Sequence, residues 1–242
     1  MHFTTLVMRN ILRRPTRSAL TVTGVAVAVA AVVALVGIAQ TFQTSLLGMY
    51  QSRGVDLIVV RSGGVQRMSS SLRESLLPDM QALPGVEKAS PGLAEAVSFE
   101  NAGPMGVLIR GMPHDSLMLR DIELVGKEGR LLRPDDERVV LLGKRLAEDL
   151  GKKVGDRMEV VEDEDFEVIG IYQTYSPLEN GSIIMPLAQL QWMMDREGEV
   201  TAFLVKAEHS DKKAVMQLAR DIEALAPHID AIPAREFVDT AT

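Results

Sequence analysis

Apolar and polar positions alternate along this chain in three different ways. From Ser18 to Ala39 there is no charged residue, and from Val25 to Ala39 every position is apolar or Gly. A helix over these 22 residues rises roughly 33 Å, enough to cross a hydrocarbon core of about 30 Å. Short apolar runs bounded by turn residues follow and predict strands: Asp56–Arg61 (DLIVVR), Val86–Ala89, Ala94–Glu100, Gly106–Arg110, Val139–Leu142, Ser182–Met185, Thr201–Lys206 and Ile229–Ile232. Arg157–Glu162 and Glu167–Tyr172 predict a hairpin across Asp163–Asp165, and Asn101–Pro104 (NAGP) is a turn signal between two strands. The third pattern has helical period. Val215, Leu218, Ala219, Ile222 and Leu225 line one face behind Ser210 as cap. Leu72–Leu83, restarting at Pro78, and Pro186–Arg196 predict two more helices, and Gln40–Gln51 is polar enough and regular enough to continue the apolar helix outward. A strand–helix–strand unit therefore stands at each end of the region beyond the apolar run, with a strand-rich block between. The pattern predicts an α+β fold in which a split α/β subdomain receives a β-rich insertion.

Charge orients this scheme. Residues 1–17 carry Arg9, Arg13, Arg14 and Arg17 and no acid, whereas the rest of the chain carries 22 basic against 33 acidic side chains, a balance of −11. No basic residue follows the apolar run until Arg53. The excess of arginine on one flank places the N-terminus in the cytoplasm and the chain beyond about residue 40 outside. In HFTTLVMRNILRR, Phe3, Leu6, Val7 and Asn10 fall near one helical face among arginines, the pattern of a short helix lying on the inner leaflet. Two other readings compete for Ser18–Ala39. A cleaved signal peptide would use Gly37-Ile38-Ala39 as its small-residue site, but the apolar region exceeds the usual ~7–15 residues. A buried helix of a soluble protein does not explain the arginine cluster.

Candidate chemistry adds little. The chain has no cysteine, which removes disulfides, thiolate metal sites and Cys nucleophiles. A net charge of −7 and 4% aromatic residues argue against nucleic acid as a partner. The segment LGKRLAEDLGKKVGD, Leu142–Asp156, contains a Gly143-Lys144 pair, but Arg145 stands where a phosphate-binding loop needs Ser or Thr, and no Gly precedes at the required spacing. Its glycines read instead as a helix stop at Gly151 and a turn at Gly155. His2, His114, His209 and His228 have no metal-ligand spacing. The acidic run Glu162–Glu167 lacks the alternating ligands of a calcium loop and reads as a solvated hairpin tip. Ser69-Ser70-Ser71 has no assignable base, and Met193-Met194 beside Trp192 reads as helix packing. The sequence therefore nominates no catalytic, cofactor-binding or metal-ligating residue, and predicts a protein that is not an enzyme.

The residues themselves suggest a family. RNILRRPTRSALTVTGVAVAVA (Arg9–Ala30) resembles the opening of the FtsX/MacB/LolC-type ABC-transporter permeases. DLIVVRSG (Asp56–Gly63), LPGVEKASP (Leu83–Pro91), VLIRGM (Val107–Met112), LLGKRLAEDLGKKVGD (Leu141–Asp156), FEVIGIY (Phe166–Tyr172) and PAREFV (Pro233–Val238) resemble, in order and spacing, the MacB-like periplasmic core domain. The resemblance implies a cytoplasmic basic segment over 1–17, a transmembrane helix over 18–39 and a stalk over 40–52. It further implies a split α/β subdomain over 53–112 and 199–238, and an inserted β-rich subdomain over 113–198. It implies a permease subunit in the inner (plasma) membrane, working as a dimer with a second permease copy or homologue. The partners it implies are a cytoplasmic ABC ATPase and a periplasmic adaptor or lipoprotein. Cargoes in such families include lipoproteins, lipids, peptides and drugs. The family carries a second membrane helix soon after this domain, and the chain stops at Thr242, so the sequence reads as the N-terminal portion of a longer permease. The alternative is a single-pass, membrane-anchored periplasmic module that binds a partner protein without transport.

Overall fold

The computed structural model describes residues 15–63, 71–97, 106–161 and 164–234. The expected interfacial helix before Arg14, the Asn101–Pro104 turn, Ser69-Ser70, the Glu162-Asp163 tip and Arg235–Val238 lie outside the described residues. Contacts divide the chain into two compact units, Met1–Thr44 and Ser45–Thr242.

Helix α1, Pro15–Ser52, contributes to both units. Its stretch Ala19–Gly37 has a mean hydropathy of 2.6 and buries no side chain against the rest of the protein. The stretch is rich in Val, which disfavours helix in water. In hydrocarbon the ranking changes, because a helix is the one single-segment conformation that satisfies all its own backbone groups. The apolar residues go all round the helix, which suits a lipid surrounding and not a protein core on one side.

The second unit is built on one sheet. Its strands are β1 (Leu57–Arg61), β3 (Val86–Val97), β4 (Val107–Met112), β5 (Glu123–Leu124), β6 (Val139–Gly143), β7 (Arg157–Val161), β8 (Glu164–Gln173), β9 (Ile183–Pro186), β11 (Ala202–Ala207) and β12 (Ile229–Pro233). The order is β12-β1-β11-β3-β4-β9-β6-β8-β5, with β7 paired to β8. Strands from 53–112 and 199–238 form one end, those from 113–198 form the other, and parallel pairing of β4 with β9 joins them. A separate two-stranded piece pairs β2 (Leu72–Arg73) with β10 (Glu199–Val200).

Both faces of the central strands are covered, which explains why those strands read as unbroken apolar runs. Leu57 and Val59 of β1 point into one core and Ile58 and Val60 into another. Val140 and Leu142 of β6 are likewise separated from Val139 and Leu141. The larger core is closed by α2 (Leu77–Gln81), α3 (Lys144–Leu150), α5 (Leu187–Met193) and α6 (Lys212–Glu223). On the opposite face lie Leu117–Leu119, Leu131, Leu132 and Tyr50 near the end of α1.

Among the expected boundaries that change, three have a clear cause. Leu72–Leu83 is not one helix: Leu72–Arg73 is strand, a 3₁₀ turn covers Glu74–Leu76, and α2 begins next to Pro78. Pairing with β10 claims the first two residues, a contact no local pattern announces. Val86–Ala89 and the described part of Ala94–Glu100 are joined in the single strand β3 across Pro91-Gly92, because β11 pairs with it from Val86 to Gly92 and β4 pairs with it from Leu93 to Val97. The cap of α6 is Asp211, whose Oδ1 accepts from the backbone N–H groups of Lys213 and Ala214, and not Ser210. The expected face of α6 is otherwise present, with Val215, Leu218, Ala219 and Ile222 buried. Asp211→Ala removes both cap bonds and is expected to cost about 1 kcal/mol, read as a lowered urea midpoint with unchanged slope.

Candidate functional site

The residue that follows α1 is a buried arginine. Arg53 is 3% exposed, and a guanidinium removed from water is tolerated only when it is paired. Glu179 pairs it in two-pronged geometry, Nη1–Oε1 at 2.8 Å and Nη2–Oε2 at 3.0 Å. Glu179 sits on α4 (Pro177–Asn180), a single turn opened by the Ser176 hydroxyl, which accepts from the Glu179 N–H, and by Pro177 in its first turn. A second cation comes from the sheet. Arg110 of β4 donates from Nη1 to the same Glu179 Oε1 at 2.6 Å and from Nη2 to the Tyr172 hydroxyl at 3.2 Å. Tyr172, fully buried on β8, donates in turn to the Glu179 carbonyl at 2.7 Å. The Ser182 hydroxyl donates to that carbonyl as well, at 2.9 Å. Met118 Sδ stands 3.8 Å from Arg53 Nη1.

This node ties together four separate parts of the second unit: the residue after α1, β4, β8 and α4. It holds two guanidinium groups against one carboxylate. Among the described residues, Arg53 Nε and Arg110 Nε make no hydrogen bond. Burial by itself would raise the Glu179 carboxyl, but the charge of Arg110 and the hydrogen bonds and charge of Arg53 outweigh it and hold the group below its ordinary range. Burial pushes the Tyr172 phenol up, against the nearby Arg110 charge, and does the same for Tyr50. Both tyrosines therefore stay neutral, and the node at neutral pH is ionic at Arg53, Arg110 and Glu179 alone.

The Gly143-Lys144 pair takes part in the same construction, as support and not as a phosphate cradle. The Gly143 N–H donates to the Ser182 carbonyl at 2.9 Å. A Cβ at Gly143 would meet the Asn180 carbonyl oxygen at 2.4 Å and the Glu179 carbonyl oxygen at 2.6 Å. The end of β6 can lie flush on α4 only because it has no side chain there. Lys144 points away, to the Gln173 side chain at 3.1 Å on the surface. Gly151, with φ of 64°, is the left-handed cap of α3, and Gly155, with φ of 90°, forms the turn before β7. Gly143→Ala must push α4 off β6, and overpacking of this kind costs typically 1–3 kcal/mol. The expected result is a stable fold with a lowered urea midpoint.

His114, His209 and His228 are exposed and far apart in sequence. Among the described residues no group of three His, Asp or Glu side chains is arranged to hold a metal ion. Met193 and Met194 pack against the larger core, while Trp192 is about half exposed. The sequence reading passed over the node. Its signals were an arginine inside an otherwise apolar strand, VLIRGM, and an arginine at the end of a long uncharged stretch.

Residues 18–225 match the MacB-like periplasmic core domain. The chain belongs to that family. The match starts inside α1 and runs through the sheet to the end of α6, so it covers the node in full. The periplasmic region of MacB from Actinobacillus actinomycetemcomitans is similar at a TM-score of 0.58 and 15% identity, over 78% of this chain and 96% of that one. The extracellular domain of the noncanonic ABC-type transporter YknZ from Gram-positive bacteria is similar at a TM-score of 0.56 and 14% identity, over 74% of this chain and 99% of that one. At such identities the likeness to the solved structures is one of fold. Comparison with curated proteins returned no match. The α+β MacB-like architecture, with one N-terminal apolar helix, is the one the residues led us to expect.

Proposed function

We propose that this MacB-like chain works as part of an ABC-type permease subunit. In this reading α1 crosses the inner membrane with its N-terminus in the cytoplasm, and the domain beyond Ser45 works outside. A cytoplasmic ABC ATPase hydrolyses ATP, and the permease carries the resulting motion across the membrane to move a lipoprotein, lipid, peptide or drug. The chain performs no chemistry of its own. A second permease copy or homologue, and a periplasmic adaptor or lipoprotein, complete the assembly.

The observation that carries this reading is the extent of the family match, 18–225, which takes in the exposed apolar helix and the core domain as one family unit. The node supports it mechanically. A helix can pull on a domain only if the residue at its end is fixed, and Arg53 is fixed by bidentate and buried contacts.

The test is purification of the tagged protein from detergent-solubilised membranes of its own host. Recovery of an ABC ATPase in near-stoichiometric amount supports the proposal. A fully membrane-bound protein recovered without any ATPase would favour the anchored binding module instead. Orientation is read separately from single cysteines in this cysteine-free chain. Asp135→Cys should react with a membrane-impermeant maleimide in spheroplasts, and Thr5→Cys only after permeabilisation.

A further inference from the structure

A groove of about 650 Å³ opens on the second unit, and none of the node's side chains lines it. Its volume lies in the range of ligand clefts. Leu77 of α2, Ala89 and Pro91 of β3, Met112 of β4, Leu132 and Leu187 of α5 form its apolar floor, and most of these are nearly inaccessible to water. Its rim has a strong sign. Glu74, Asp115, Asp135, Asp136 and Glu137 line it against one lysine or arginine, Arg133. Two of the five acids are neutralised by cations outside the lining, Asp136 by Arg130 and Asp115 by Lys88. The other three have no cationic partner among the described residues. Among the described residues, the Glu74 carboxylate accepts from the neutral Gln191 amide, at 2.7 Å, and it stands on a different segment from Asp135 and Glu137. The apolar floor thus lies between uncompensated carboxylates supplied by two separate stretches of chain.

We propose that this groove docks an extended segment of a partner polypeptide that carries alternating apolar and basic side chains. The apolar residues would cover the floor, and lysines or arginines would reach Glu74 on one side and Asp135 and Glu137 on the other. The groove is neither enclosed nor flat but about half open to solvent, so it suits a chain whose outer face remains in water; a small molecule is normally enclosed over most of its surface. A rim of one sign rejects acidic segments and selects basic ones. The inference rests on the groove alone, and its failure leaves the transporter reading intact.

The probes are two fluorescein-labelled hexapeptides, Lys-Leu-Lys-Leu-Lys-Leu and Glu-Leu-Glu-Leu-Glu-Leu. Each is titrated by fluorescence anisotropy against the full chain in non-ionic detergent at 0.15 M salt. The basic peptide is expected to saturate and the acidic one not to bind. The double variant Asp135→Asn, Glu137→Gln should weaken the basic peptide at least about fivefold, as two partly exposed charge pairs allow. Ala188→Trp, which fills the groove from the exposed side of α5, should weaken it similarly. The control double variant Glu148→Gln, Asp149→Asn changes net charge equally on α3, outside the groove, and should alter affinity less than twofold. Equal losses in the two double variants would mean diffuse attraction to an acidic body and overturn the proposal. So would binding of both peptides, no saturable binding of the basic one, or unchanged affinity in both groove variants. If Ala188→Trp misfolds by circular dichroism, the rim variant and its control decide alone.

Discussion

Glu179→Gln lowers the stability of the second unit by about 3–5 kcal/mol, because it leaves two buried guanidinium groups without their carboxylate. For a folding unit of this size each kcal/mol moves the melting temperature by roughly 2–4 °C, so the expected drop is roughly 6–20 °C. The effect depends on pH in a defined direction. The ordinary value for a Glu side chain is 4.5, and the folded protein holds Glu179 below it. A group with a depressed folded pKa contributes stability that is fully present above its ordinary value and is lost as pH falls through the folded value. The gap between the wild type and Glu179→Gln is therefore widest above about pH 4.5 and closes in more acid solution, where both side chains are neutral. Thermal unfolding followed by circular dichroism from pH 7 downward checks this, and a gap independent of pH would refute it. The triple variant Arg53→Met, Arg110→Met, Glu179→Leu provides the contrast. It replaces the whole node by apolar groups and is expected to melt near the wild type, since the desolvation cost disappears with the charges. A fall as large as that of Glu179→Gln alone would show that polar geometry, and not charge balance, holds the node.

Val29→Arg together with Val32→Arg is the second large effect. Each arginine near the centre of a membrane helix costs about 2.5–3.5 kcal/mol on insertion scales, so the pair costs roughly 5–7 kcal/mol. Both positions lie in the exposed apolar stretch of α1, at 56% and 60% exposure, so no packing inside the protein is disturbed. The wild type is expected to stay in the membrane pellet after an alkaline wash, and the double variant to be released or degraded. Retention of the variant in the washed pellet would mean that this helix is not what holds the chain to the membrane.

Much of the fold was legible because short-range patterns and long-range structure agreed. DLIVVR reads as a strand, and it is one, lying between β12 and β11 with both faces covered. The apolar face of α6 was visible from its spacing, although its cap was placed one residue early. Where they disagreed, a distant strand decided. Leu72-Arg73 reads as helix from its neighbours and becomes strand by pairing with Glu199-Val200. Pro91-Gly92 reads as a break, but β11 pairs up to Gly92 and β4 from Leu93, so the strand runs through it. The node was illegible for a stronger reason. Its contacts join residues 126 and 69 positions apart, and nothing near Glu179 in the sequence tells a surface carboxylate from one that will meet two arginines.

By itself the sequence determined the apolar helix and its flanking charge, the alternation of strands and helices, the absence of cysteine chemistry and the family. Each of these is a matter of local composition, period or ordered motifs, and survives without knowledge of contacts. Only the tertiary structure decided that β4 and β9 join the two sets of strands in one sheet, that Gly143 makes room for α4, and that the residue after α1 is clamped by Glu179. Those depend on which distant groups share a low-dielectric space, where one unpaired charge costs several kcal/mol, and that quantity is not written in any single stretch of the chain.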